Sequence, residues 1–90
     1  MTSYSLVEEV FEVKERCVLF LSPVPKENLV RQGASIELRR PHGPSVQTQL
    51  DAVLFLDHLD QGRCAIAVTL PPGLSKQDVP IGTEIWLTPA

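Results

Sequence analysis

Ninety residues with 43% hydrophobic and 21% charged side chains and a formal net charge of -3 fit one domain around one core, and they exclude a disordered chain. A chain of this length buries roughly 60 to 65% of its unfolded surface, so it needs no staple. Residues 1–45 carry six basic and six acidic side chains and residues 46–90 two and five; a general binder of phosphate backbones is basic, so DNA is excluded and RNA enters only through a local patch.

The first five residues are polar and are expected to fray. From Leu6 onward, Val7, then Phe11 and Val13 set against Glu12 and Lys14, give the period-two alternation of a half-buried strand. Val18-Leu19-Phe20-Leu21 is an apolar run too short for a helix, and Ser22-Pro23-Val24-Pro25 removes two backbone donors and stops the ladder. Lys26 to Gly33 is a connection, and Gly33 supplies the permissive backbone from which Ser35 to Arg39 departs as a strand.

Pro41-His42-Gly43-Pro44 is a turn by composition. Beyond it Val46, Thr48 and Leu50 share one phase, which breaks at Ala52-Val53-Leu54-Phe55-Leu56; either a bulge switches faces there or both faces are covered. Asp57 to Gly62 reads as a polar loop, Cys64 to Leu70 as a strand closed by Pro71-Pro72-Gly73, and Ser75 to Asp78 as one capped helical turn. Pro80-Ile81-Gly82 leads into a last strand, Thr83 to Leu87. Short strands at spacings near ten residues predict an all-β domain over 1–90, a closed antiparallel barrel of six to seven strands, because closure leaves no free edge.

Cys17 and Cys64 stand apart, with no CxxC and no neighbouring histidine. No apolar stretch approaches the ~18 residues of a membrane span, and no leader pattern opens the chain. The expectation is a cytoplasmic protein with two reduced thiols and no membrane partner; a Cys17 to Cys64 disulfide is the alternative.

Several segments taken in order resemble the second domain of the translational GTPases, elongation factor Tu among them. They are Val10-Phe11-Glu12-Val13, Val30-Arg31-Gln32-Gly33-Ala34-Ser35-Ile36-Glu37-Leu38, Gly62 before Ala65 to Leu70, and Asp78-Val79-Pro80-Ile81-Gly82-Thr83-Glu84-Ile85. The resemblance spans roughly 7–88 and implies a six- to seven-stranded barrel that contacts RNA, the ribosome or a translation-related protein. It further implies Arg16 as the kept member of a Gly-Arg-Gly turn and Asp51 near an acidic position lining the pocket for the terminal adenosine. The chain has no GxxxxGK[ST] phosphate loop, so no GTP hydrolysis is expected.

Read for chemistry, Arg39-Arg40-Pro41-His42 is the one concentrated basic patch, and with Arg31 and Arg16 it suits a phosphate or carboxylate. Asp57-His58-Leu59-Asp60 lacks the tight ligand pairs of a metal site. No nucleophile motif such as GxSxG occurs, so neither an enzyme nor a cofactor is expected. Val53 to Leu56 and Trp86 read as core filling; left outside, Leu54, Phe55 and Trp86 form an interface instead. Two functional classes follow: a non-catalytic binding or adaptor barrel touching RNA or a translation-related protein, and a protein-protein module, self-associating as a homodimer, with no nucleic-acid role.

Overall fold

Alternating segments punctuated by glycine and proline fold, in the computed structural model, into an antiparallel β-sheet described over residues 1–89. The eight strands are β1 (Thr2–Val13), β2 (Arg16–Leu21), β3 (Val24–Pro25), β4 (Ser35–Arg39), β5 (Val46–Gln49), β6 (Ala52–Leu59), β7 (Arg63–Thr69) and β8 (Glu84–Leu87). Three single turns of 3-10 helix, at Lys26–Asn28, Asp60–Gly62 and Lys76–Asp78, fill connections.

The long strand β1 organises the sheet. Its first half pairs with β8 and its second with β2, with register shifts at Ser3/Ser5 and Val7/Glu9. Each shift inserts a residue that bends the strand, so one strand serves two differently directed ladders. β2 continues to the end of β7, while β3 pairs with its start through Val24 to Cys64 and Pro25 to Arg63. On the other side of the molecule β8 pairs with β4 and β4 with β5. β6 pairs with β7 alone, and no ladder joins β5 to β6 among the described residues. The strand pairs therefore form an open path.

Antiparallel partners share a face, which fixes the core. One row runs Val53, Val68, Leu19, Val10 across β6, β7, β2 and β1, and its last three members are buried. A second brings Ser5, Ile85, Leu38 and Val46 together across β1, β8, β4 and β5. Leu50, Leu70 and Val79 belong to the same buried cluster. Gly33 (φ 85°) and Gly82 (φ 94°) hold turns in the left-handed region, where side chains are disfavoured.

Several expectations change here. Residues 2–5 are not frayed: they start β1, and the Tyr4 hydroxyl accepts a hydrogen bond from the Val30 N–H at 3.1 Å. β2 and its ladder do end before the prolines, and pairing with β7 resumes in the two-residue β3, where Pro25 sits as an edge residue that needs no donor. The polar loop at 57–62 shrinks, because β6 runs on to Leu59 through a register shift between Phe55 and Asp57. The capped turn is present: the Ser75 N–H donates to Asp78 Oδ2 at 2.8 Å, and the Asp78 N–H returns to the Ser75 carbonyl.

The β1–β2 hairpin turns on Lys14 (φ 50°) and Glu15 (φ 66°), positions that favour Asn-Gly. A left-handed non-glycine residue costs roughly 1 to 2 kcal/mol, and glycine adds about 0.5 to 1 kcal/mol of unfolded-state entropy. Glu15→Gly is therefore expected to stabilise the domain by about 0.5 to 1 kcal/mol, read as a higher urea midpoint with unchanged slope; a lower midpoint would contradict the turn geometry.

Candidate functional site

Of the arginines picked out from the sequence, Arg16, Arg39 and Arg40 are engaged within the fold. Arg39, at the end of β4, donates from Nε to Glu37 Oε2 at 2.6 Å, and its guanidinium lies 3.8 Å from the centre of the Trp86 ring. Planar stacking of this kind suits arginine. Trp86 Nε1 donates to Glu84 Oε1 at 2.9 Å, so β8 and β4 share an outward cluster of Glu37, Arg39, Glu84 and Trp86. Arg40 donates from Nε to the Pro44 carbonyl at 2.9 Å and folds over its own turn. Arg16 pairs with Asp51, tying the start of β2 to the junction of β5 and β6. Arg31 has no ion pair among the described residues.

These groups do not converge. Arg16 on β2 is separated by β1 from the cluster of Glu37, Arg39, Glu84 and Trp86 on β4 and β8. The two acids that the fold holds charged are local partners also. The Glu37 carboxyl lies below the usual carboxylate range because Arg39 donates to it, with a second hydrogen bond from Gln47. The Asp78 carboxyl is lowered by the backbone and side-chain hydrogen bonds of Ser75.

Nucleophilic chemistry finds no footing at the cysteines. Both are buried free thiols. Burial pushes the Cys17 thiol up, Glu12 and Asp78 add to the effect, and its Sγ donates to the Leu74 carbonyl at 3.2 Å; a raised pKa withholds the thiolate that reacts. His58 packs edge-on against Phe55 at 4.7 Å. No group of three metal-ligating side chains occurs among the described residues.

The feature with the character of a site is the outer face of β1, β2, β7 and β6. Opposed residues there form two rows, Phe11, Val18, Thr69, Ala52 and Glu9, Phe20, Ala67, Leu54. Phe11 and Phe20 meet edge to face at 5.3 Å. Ala67 is fully covered although it points outward, since Phe20 and Leu54 flank it. Phe11, Val13 and Leu54 remain 44 to 54% exposed on it, as do Phe55, opposite Ile66, and Leu56 at the register shift along the open edge of β6, and the Thr69 hydroxyl in the midst of the face has no hydrogen-bond partner.

That face corrects the reading of Val53 to Leu56 as core. Only Val53 packs on the core; the next three residues stay outside, because β6 has a neighbour on one side alone. Trp86 is half-buried under Arg39 on the other half of the sheet. Phe11, Val13 and Phe20 were missed as surface residues. Their signal was the apolar run at 18–21, which gives β2 two apolar faces where one core exists.

Open grooves elsewhere on the surface include one of about 500 Å³ between β4 and β5 beside Gln47, Thr48 and Thr88, and one of about 250 Å³ beside Glu12, Glu15 and Leu74. Comparison with known proteins gives no match: no family model, curated protein or solved structure is significantly similar to this chain.

Both lowered carboxylates contribute stability that is present above the ordinary carboxylate range and lost as pH falls through their depressed native values. Arg39→Ala is expected to return the Glu37 titration toward the ordinary range while Asp78 stays depressed, read by NMR of the side-chain carboxyl carbons. An unmoved Glu37 would show that Arg39 is not its principal partner.

Proposed function

We propose that this chain is a non-catalytic protein-docking domain whose docking surface is the apolar outer face of β1, β2, β7 and β6. The observation that carries the reading is the contiguous apolar surface around Phe11, Phe20 and Leu54 with the covered Ala67 at its floor. Contiguous apolar surface of this kind marks interaction sites in soluble domains. Aromatic side chains of low conformational entropy are the usual anchors of such sites.

The reading includes a finer fold, a barrel whose sixth side is the continuous stretch from β5 into β6. Support comes from the junction, where the Leu50 N–H donates to the Ala34 carbonyl and the Asp51 N–H to the Thr69 carbonyl. Consecutive residues thus bond to opposite ends of the strand path. That is the architecture implied by resemblance to the second domain of translational GTPases. RNA or ribosome contact through Arg39 and Arg40 is the second reading, and it has less behind it: both guanidinium groups already have partners in the chain, and the charge is net acidic.

Capture from a native cytoplasmic extract with and without RNase separates the two. Proteins retained after RNase, lost with Phe11→Ser plus Phe20→Ser and kept with Arg39→Glu plus Arg40→Glu, are the expected outcome, given an unchanged thermal melt for each variant. Partners that leave with RNase and with the arginine changes would replace the docking face by the arginine rim.

A further inference from the structure

We propose that the docking element within this face is the free edge of β6, and that its occupant is a second copy of the chain, paired β6 to β6 in antiparallel fashion about a two-fold axis at Phe55. The inference rests on the docking reading above and names its partner.

An edge strand exposes a row of unpaired backbone groups that another strand can satisfy, and natural proteins blunt such edges with charge, proline, bulges or short length. β6 carries one such device, the register shift between Phe55 and Asp57, and little else. It is eight residues long, contains no proline, and places its first charge at Asp57, after five consecutive apolar residues. Leu54, Phe55 and Leu56 are about half exposed on both faces of the strand, which is the condition of a strand with one neighbour missing.

Self-pairing fits the order of residues along that edge. A two-fold interface must be complementary to itself. With the axis at Phe55, Leu54 lies beside Leu56 of the other copy and the two Phe55 rings meet, so apolar faces apolar throughout the centre. Charges separate by the same symmetry. The two Asp57 carboxylates lie three to four residues apart along the strands, roughly 10 to 14 Å at ~3.4 Å per residue, beyond the screening length of about 8 Å at physiological salt.

The strand ends then avoid like charge. The acidic end of β6, Asp57 and Asp60, falls beside the start of β6 in the other copy. There the single acid, Asp51, is already neutralised by Arg16. The one cation at the acidic end, Arg63, is on β7, a strand back from the edge. Pairing with the opposite polarity would set acid against acid.

The test is sedimentation equilibrium of the full chain from micromolar to millimolar concentration, beside cross-linking of Phe55→Cys under mild oxidation. Cys17 and Cys64 are buried and leave the introduced thiol alone to react. A monomer-dimer equilibrium weakened at least about tenfold by Phe55→Asp, with Phe55→Cys but not Val13→Cys forming a covalent dimer, is the expected result. Retained folding of each variant is checked by its far-ultraviolet spectrum. A wild-type monomer at millimolar concentration overturns the proposal, and if RNase-resistant partners are still captured the docking face survives it. A dimer indifferent to Phe55→Asp but lost with Phe11→Ser plus Phe20→Ser overturns edge pairing in favour of face-to-face stacking.

Discussion

The molecule hinges on the crossing at Leu50 and Asp51. One residue bonds to Ala34 beside β4, and the next to Thr69 at the end of β7, so the chain passes from one ladder to another without a loop. Two consequences follow at once. Leu50 is driven into the core, where it is 2% exposed, and the Asp51 side chain is left at the rim, where Arg16 holds it. Alternation is reset in the process: Val46, Thr48 and Leu50 point inward, and the next inward residue is Val53. Everything in β6 takes its orientation from that one-residue slip.

Because β6 enters in this phase, Leu54 is directed outward onto Ala67 and beside the row that Phe20 begins. The small side chain of Ala67 matters here. It lies between Phe20 on β2 and Leu54 on β6 and is fully covered. The core needs only the inward residues Cys64, Ile66 and Val68 from β7. The outward apolar residues Phe11 and Leu54 stay about half exposed in the folded domain.

Much of this was legible in the chain. Strand positions came through because glycine and proline mark their ends, and the turn at Ser75 because its capping residues are local. The capping pair, Ser75 and Asp78, lies three residues apart and needs no tertiary information. What stayed hidden depends on distant partners. Nothing local in Thr2 to Ser5 announces that Trp86 and Ile85 will pair with them, and a polar start reads as a loose end. An apolar run such as Val18 to Leu21 reports that both faces of a strand are apolar, yet not which face meets the core; Leu19 and Leu21 are buried while Phe20 is exposed only because β7 lies alongside.

The arginines carry the same lesson in the other direction. Clustered in sequence, Arg39 and Arg40 read as a patch able to hold an anion. In the fold alternation sends Arg39 onto Trp86 and Glu37, and the turn at Pro41 to Pro44 takes up Arg40. A guanidinium already stacked and ion-paired must give up those contacts before it binds phosphate, whereas the face around Phe11 and Phe20 gives up only water. The hydrophobic effect favours covering that face with no loss of existing hydrogen bonds. The two surfaces thus differ in what binding would cost, and Arg39 ties β4 to β8 through Trp86 while Arg40 braces its own turn.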